Sequence, residues 1–180
     1  MLKSAREDMT KVRCSQCGKE HDLGGVEPSF SRPDAFFEVP LEERERRINH
    51  SDEGCLISSK DGQELACFFR TVLRVPVKGE RGSISWGLWV EVSSEAYVRV
   101  CDLSKDSDQA AEPPFPCTVA NDIPNYPSTR GLPGTMRLTS PTTRPSLVVV
   151  SESTHPFAIE ASAGVHFERS LEWRAWFAHR

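Results

Sequence analysis

The stretch ISWGLWVEV, residues 84–92, decides the fold class of this chain. Side chains alternate between the two faces of a strand, so a strand with one buried face has apolar residues at every second position. This stretch has such residues at alternate positions: Ile84, Trp86, Leu88, Val90 and Val92. The run LACFFRTVLRVPV, residues 65–77, is also rich in β-branched and aromatic residues. The two runs predict long antiparallel neighbours, joined through residues 78–83.

Shorter strands are predicted before and after this pair. Residues 55–58 are typical of a brief strand, and the Asp-Gly step at residues 61–62 favours a hairpin turn. Residues 135–139 and 146–151 alternate or run apolar in the manner of strands. Together these segments predict an antiparallel sheet of about four to six strands, which is the usual size of a sheet.

Helices are predicted where capping residues precede charged or apolar runs. Residues 41–48 follow a proline and form a charged helix, and residues 95–103 follow two serines that can cap a helix. A C-terminal helix over residues 165–179 has its apolar residues at helical spacing. The polar, proline-rich segments 104–116 and 121–133 are expected to be surface loops.

The length and composition are those of one globular domain. The chain has 180 residues, of which 38% are hydrophobic and 27% are charged, and such a chain can bury a core without disulfides. We predict a flexible leader over residues 1–11 and a single α+β domain over residues 12–180. In this domain the C-terminal helix packs on the sheet, and a metal-binding knuckle, residues 12–25, lies at the edge of the sheet.

Charge and hydropathy argue against two classes of partner. The net charge of −4 disfavours binding to a nucleic-acid backbone, which needs clustered and unpaired lysines and arginines. No apolar run approaches the roughly 18 residues that span a bilayer. Residues 1–11 also lack the apolar core of a secretory signal. We therefore expect a cytoplasmic protein that contacts neither membranes nor nucleic acids.

Residues 14–19, Cys-Ser-Gln-Cys-Gly-Lys, carry the strongest chemical signal in the chain. The two residues between Cys14 and Cys17 allow both thiolates to reach one metal ion. Gly18 tolerates the left-handed backbone that turns the following N–H groups toward sulfur. Soft sulfur ligands in a reducing compartment favour zinc as the ion. A redox dithiol and unpaired thiols are the alternatives, although the βαβ context of a thioredoxin-like site is missing.

A structural zinc site has four ligands, so two more are needed. His21 lies close behind the cysteine pair and is the predicted third ligand. Cys55, beside a polar turn at the start of a strand, is the predicted fourth ligand. Cys67, Cys101 and Cys117 compete for that place. We expect these three to be buried as small apolar residues, because free cysteine is among the most buried residue types.

Residues outside the knuckle give a candidate binding surface and a weak catalytic candidate. The surface consists of Arg70, Trp86, Trp89 and Tyr126. The two tryptophans have odd spacing and face opposite sides of the sheet, so core packing is the favoured interpretation and an aromatic binding wall the alternative. His155 adjoins a helix N-terminus, whose dipole favours a neutral ring that can act as a base or a ligand. A polar helix-start role is the favoured interpretation of this histidine.

Several short motifs follow one another along the chain. They are Cys14-x-x-Cys17-Gly18-Lys19-x-His21, Glu42-Glu43-Arg44, Ser51-Asp52-x-x-Cys55-x-Ile57, Phe68-Phe69-Arg70, Trp86-Gly87-x-Trp89-Val90, Pro124-x-Tyr126-Pro127-x-Thr129 and His155-Pro156-x-Ala158-x-Glu160. In this order they resemble the bacterial domain of unknown function 2199 family, from Arg13 to the final helix. The resemblance implies a zinc-knuckle-bearing domain and no particular activity. Residues 113–117 depart from the expected aromatic-glycine segment, which implies that any pocket built from that loop is altered.

Two classes of function follow from these residues. The first is a zinc-stabilised binding or interaction module whose partner is another protein. The second is a small metal-dependent or acid–base enzyme, similar to a hydrolase, that uses His155. Four protein ligands on zinc favour the first class, whereas three ligands and a water molecule favour the second. The sequence contains no nucleophile elbow, phosphate-binding loop or dinucleotide fingerprint, so we prefer the first class.

Overall fold

The computed structural model describes residues 11–13, 18–79, 82–150 and 154–178. Within these ranges the strands are β1 (Lys11–Arg13), β2 (Glu20–Asp22), β3 (Ile48–His50), β4 (Gly54–Ser58), β5 (Leu65–Pro76), β6 (Ser83–Val92), β7 (Phe115–Val119), β8 (Pro133–Arg137) and β9 (Ser146–Val149). The α-helices are α1 (Asp34–Glu38), α2 (Leu41–Arg47), α3 (Ser94–Leu103), α4 (Pro156–Ala163) and α5 (Phe167–Ala175). A 3-10 helix covers Gln109–Ala111. The predicted leader lies outside the described residues, apart from Lys11.

The two long strands predicted from the sequence form the centre of the main sheet. β5 and β6 pair antiparallel without interruption, from Cys67 opposite Val92 to Pro76 opposite Ser83. The alternating apolar residues of β6 are all buried, as their spacing predicts: Ile84, Trp86, Leu88, Val90 and Val92. The prediction of a long antiparallel pair is therefore confirmed.

The segment that precedes α1 forms a parallel bridge with β6, with Ser29 opposite Gly87, and its Ser29 side chain lies on the face that carries Trp89. The N–H of Gly87 donates to the carbonyl of Pro28 at 2.8 Å, and the N–H of Phe30 donates to the carbonyl of Gly87 at 2.9 Å. The indole N–H of Trp89 donates to the carbonyl of Phe30 at 3.2 Å. Trp89 is therefore completely buried on its own side of the strand.

The main sheet has seven strands in the order β3-β4-β5-β6-β7-β8-β9, and it closes on itself. Neighbours in this order are antiparallel. β9 also pairs with β5 in parallel, with Val72 opposite Ser146 and Leu73 opposite Leu147. Five strands, β5 to β9, thus form a closed ring, and β3 and β4 extend the sheet beyond that ring.

This arrangement corrects the predicted sheet, which was an antiparallel one of about four to six strands. β3 has three residues, which are too few to show alternation. β7 begins at Phe115 and contains Pro116, inside a segment expected to be a loop. The parallel pairing of β9 with β5 is a long-range contact that no local pattern specifies. The coarser prediction, an α+β fold, is confirmed.

The predicted helices are present with small shifts of their ends. α2 and α3 match the helices expected over residues 41–48 and 95–103. Ser93 caps α3, because its Oγ accepts a hydrogen bond from the N–H of Ala96 at 3.2 Å. Among the described residues, no helix has both the length and the apolar character needed to cross a membrane.

The C-terminal helices pack on the face of the sheet that carries Trp86. The Trp86 ring makes edge contacts with Phe157 of α4 and Trp173 of α5, at centroid distances of 5.8 and 5.2 Å. The turn between these helices is bonded to the end of β5, where the N–H of Val165 donates to the carbonyl of Pro76 at 2.9 Å. The predicted packing of the C-terminal helix on the sheet is therefore confirmed.

Candidate functional site

β1 and β2 form a separate two-stranded antiparallel sheet. Their register places Arg13 opposite Glu20, so the segment between these residues connects the two strands. The predicted zinc ligands Cys14 and Cys17 belong to this connection and lie outside the described residues. Gly18 has a φ of 70°, the left-handed conformation expected for the residue that follows the second cysteine.

The two other predicted ligands lie in different sheets. His21 belongs to β2, where it is half-buried and opposite Val12. Cys55 belongs to β4 of the main sheet and is completely buried. Burial raises the pKa of the Cys55 thiol to about 11, against an opposing effect of Arg32. No group of three histidine, cysteine, aspartate or glutamate side chains in the described part of the chain could hold a metal ion.

The C-terminal helix holds the segment that follows the β1–β2 hairpin. Nη1 of Arg174 in α5 donates to the carbonyl oxygens of Leu23, Gly24 and Val26, at 3.3, 3.2 and 2.6 Å. Leu23 is buried beside this contact. Hydrogen bonds from a charged donor are stronger than neutral ones, so Arg174 attaches the base of the hairpin to α5.

The other cysteines are buried with one exception. Cys67 and Cys117 are buried free thiols, as expected, whereas Cys101 is exposed. The prediction for Cys101 was wrong because this residue lies on the solvent side of α3. Burial raises the pKa of the Cys117 thiol to about 12, and it also raises the pKa of Cys101. Thiols with raised pKa values are weak nucleophiles at neutral pH.

Trp86 and Trp89 belong to the core. Neither side chain has exposed area, so the favoured interpretation, packing, is confirmed for both. Neither residue forms an exposed aromatic wall in this structure. Arg70 and Tyr126, the two other members of the candidate binding surface, are half-buried, and each lies in a polar cluster of its own.

Tyr126 joins the proline-rich loop to the C-terminal helices. Its hydroxyl donates to the carboxylate of Glu160, and it accepts from Nη2 of Arg169 and Nε1 of Trp173, both at 3.0 Å. Nε of Arg169 also lies 3.2 Å from Oε2 of Glu160. Burial and then the Glu160 carboxylate raise the pKa of Tyr126 far above its usual value. The hydroxyl is therefore protonated at neutral pH and links the two elements.

His155 has a structural role at the start of α4. Its Nδ1 accepts a hydrogen bond from the N–H of Phe157 at 3.2 Å, which makes it the N-cap residue. Its Nε2 lies 3.2 Å from the carbonyl of Pro127. Because Nδ1 accepts, Nε2 carries the proton and donates to that carbonyl. The favoured interpretation of His155 as a polar helix-start residue is confirmed.

A cleft of about 600 Å³ lies between β5, α3 and the β8–β9 loop. Its apolar lining residues are Phe69, Val72, Val100, Leu138 and Pro145. Its polar lining residues are Glu53, Arg70, Ser104, Gln109, Thr139, Thr142, Thr143 and Arg144. Apolar walls with a few convergent polar groups are typical of small-molecule sites.

Arg70 and Arg144 both line this cleft, but only the charge of Arg144 is neutralised by a carboxylate. Arg144 is paired with Glu53 through two hydrogen bonds, each of 2.8 Å. Nη2 of Arg70 donates to the neutral hydroxyl of Ser29 at 2.7 Å, and its Nε is buried without any acceptor in the described part of the chain. Burial and then the charge of Arg144 lower the pKa of Arg70.

Gln109 is a residue of the cleft that the sequence did not mark as a candidate site residue. The residue is only 5% exposed and lines the cleft from the 3-10 helix. The side-chain amide makes no hydrogen bond with any residue that the structure describes. The segment around Gln109 was expected to be a surface loop, and no local pattern marks a buried amide there.

Comparisons with known proteins identify a family of the chain. No curated protein and no solved structure matches it. A family model described as an uncharacterised protein conserved in bacteria, DUF2199, matches residues 13–165, which is most of the chain. This match agrees with the order of motifs in the sequence. The chain therefore belongs to the DUF2199 family of uncharacterised bacterial proteins.

Proposed function

We propose that this chain is a zinc-stabilised binding module of the cytoplasm, with the zinc ion held at the β1–β2 hairpin. The observation that supports this most is the antiparallel pairing of β1 with β2 on either side of the Cys-x-x-Cys segment. A hairpin keeps its two ends close, so both thiolates are delivered to one ion. The left-handed Gly18 supports the same interpretation, because it matches the turn expected after the second cysteine.

The proposed ligands are Cys14, Cys17, His21 and Cys55. His21 belongs to the hairpin itself, which supports its assignment as the third ligand. Cys55 has the weakest support of the four, because it is completely buried in another sheet. A cysteine binds zinc as the thiolate, and burial without a metal favours the neutral thiol.

Binding is better supported than catalysis by the rest of the described chain. Both ring nitrogens of His155 are engaged, one in the helix cap and one in the loop contact. The thiols of Cys55, Cys101 and Cys117 have raised pKa values, so none of them is an activated nucleophile. No observation favours the alternative of an acid–base enzyme that uses His155. The expected partner is another protein, as the sequence predicts.

The zinc content of the purified native protein tests this proposal. We expect wild-type protein to contain equimolar zinc by plasma mass spectrometry, and the C14S/C17S variant to lose it. The variant is also expected to have a lower melting temperature, because structural zinc contributes folding free energy directly. C101S is the matched control, since Cys101 is an exposed cysteine outside the hairpin, and it is expected to keep its zinc. Metal-free wild-type protein with unchanged stability in chelator would refute the proposal.

Two single variants identify the remaining ligands. H21A is expected to weaken zinc binding by about tenfold or more, because it removes a direct ligand. The variant C55A shows whether Cys55 is a zinc ligand or only a residue of the core. Loss of zinc would support the set of four ligands, whereas full zinc content with lower stability would show that Cys55 is a core residue and no ligand.

The same C14S/C17S protein, used as bait beside wild type, tests whether capture of a protein partner depends on the metal.

A further inference from the structure

We propose that the cleft between β5, α3 and the β8–β9 loop binds a carboxylic acid with an apolar body, and that Arg70 holds its carboxylate. This inference rests on the proposed binding function, and it names a site and a ligand class for it. It does not depend on zinc, because the cleft is lined by residues outside the hairpin.

The charge of the cleft favours a monoanion. Arg144 is neutralised by the two-point contact with Glu53. Among the described residues, the guanidinium of Arg70 has only the hydroxyl of Ser29 as a hydrogen-bond partner. The two arginines that line the cleft thus accompany one carboxylate, Glu53, and the single positive charge that remains belongs to Arg70. A ligand with one negative charge neutralises it.

The hydrogen bonds of the Arg70 guanidinium are incomplete among the described residues. Its Nε is buried and has no acceptor among the described residues. A buried donor that is left without an acceptor destabilises a protein, and more so when the group is charged. The Nε–Nη2 edge of a guanidinium matches the two oxygens of a carboxylate. A carboxylate that displaces the Ser29 hydroxyl from Nη2 satisfies Nε as well.

Gln109 gives an independent indication of a ligand. The residue as a whole is only 5% exposed, and it lines the same cleft. Its amide has no hydrogen-bond partner among the described residues. The amide atoms are not among the fully buried polar atoms without a partner, so a molecule in the cleft can reach them. An oxygen of the bound acid can accept from the amide nitrogen of Gln109.

The walls and the volume of the cleft indicate the polarity and the size of the part of the ligand that follows the carboxylate. Phe69, Val72, Val100 and Leu138 present apolar surface, so the body of the acid is expected to be apolar. The volume of about 600 Å³ suits a molecule of ordinary metabolite or drug size. A phosphate ester fits less well, because its two negative charges exceed the one positive charge of Arg70.

Isothermal titration of the native protein with octanoate tests the inference. We expect octanoate to bind, and octanamide, its neutral counterpart of similar shape, to bind at least about tenfold more weakly, because it lacks the charge that Arg70 recognises. R70Q is expected to lose the preference for octanoate. R74Q is the matched control, since Arg74 is an exposed arginine of the same strand, and it is expected to bind as wild type does. Q109L provides a second test if R70Q does not fold, and it is expected to weaken octanoate binding several-fold.

The possible results separate this inference from the proposed function. Equal binding of octanoate and octanamide, or unchanged affinity in both R70Q and Q109L, would overturn the assignment of the carboxylate site. Tighter binding of octyl phosphate would show that the cleft prefers phosphate. Absence of binding by all three probes would overturn the ligand class, whereas the zinc experiment would still decide the proposed function. Turnover of a probe would contradict the proposed function instead.

Discussion

At the scale of single residues, the Tyr126 hydroxyl uses its full hydrogen-bonding capacity. A phenol can donate one hydrogen bond and accept two, and this hydroxyl does all three. It donates to Glu160 and accepts from Arg169 and Trp173. Trp173 is completely buried, so its indole N–H depends on Tyr126 for its partner. The hydroxyl therefore stabilises the contact between the proline-rich loop and both C-terminal helices.

We expect Y126F to destabilise the protein by about 1–3 kcal/mol, because it leaves the buried N–H of Trp173 without an acceptor. Chemical denaturation followed by tryptophan fluorescence measures this change. Y97F is the matched control. The hydroxyl of Tyr97 interacts with the thiol of Cys101, a weaker partner, so the loss is expected to be smaller. Equal losses in the two variants would contradict the role assigned to Tyr126.

At the scale of elements, the connection from α4 to α5 depends on Gly164. This residue has a φ of 76°, and a Cβ placed on it would lie 2.8 Å from the carbonyl oxygen of Pro76. The close approach allows the N–H of Val165 to reach the same carbonyl, at 2.9 Å. A residue with a side chain is therefore excluded by both the backbone conformation and the contact with β5.

The variants G164A and G131A separate these two effects. Gly131 has a similar φ of 80°, but a Cβ placed on it meets nothing within 4 Å. G131A is therefore expected to cost about 1 kcal/mol from backbone strain alone. G164A is expected to cost about 1–3 kcal/mol more, because the helix connection must also move away from β5. Thermal and denaturant unfolding measure both values, and equal losses would show that the Pro76 contact is unimportant.

At the scale of the whole molecule, three of the four cysteines that the structure describes are buried in the main sheet, and one is exposed on a helix. Cys67 of β5 and Cys117 of β7 lie in the closed ring, Cys55 lies in the adjoining β4, and all three are buried. Cys101 lies on α3 outside the ring and is exposed. Reaction of the three buried thiols requires movement of the elements that cover them.

We expect iodoacetamide to modify Cys101 in the native protein at least about a hundredfold faster than Cys55, Cys67 or Cys117, because the core of a sheet opens rarely. Peptide mass spectrometry after timed quenching measures the four rates. In denaturant the four thiols are expected to react alike. Native labelling of Cys117 at the rate of Cys101 would show that the ring of strands opens readily.

The sequence by itself determined the features that depend on neighbouring residues. The alternation in residues 84–92 predicted a long strand with one buried face, and β6 has that face. The two serines before residue 95 predicted the cap of α3, and Ser93 forms it. Strand alternation and helix capping arise from contacts within a few residues, so a short window of sequence contains the information they need.

Only the tertiary structure decided the contacts between distant segments. Three such contacts join parts of the chain that are far apart. They are the pairing of β9 with β5, the hydrogen bond from Trp89 to the carbonyl of Phe30, and the hydrogen bond from Trp173 to Tyr126. The same holds for the cleft, where Arg70 from β5 and Gln109 from the 3-10 helix come together. Such contacts depend on the register and packing of whole elements, which many weak interactions set jointly. A local pattern therefore marks the residues of this protein that fold into strands and helices, but it does not mark the residues that meet across them.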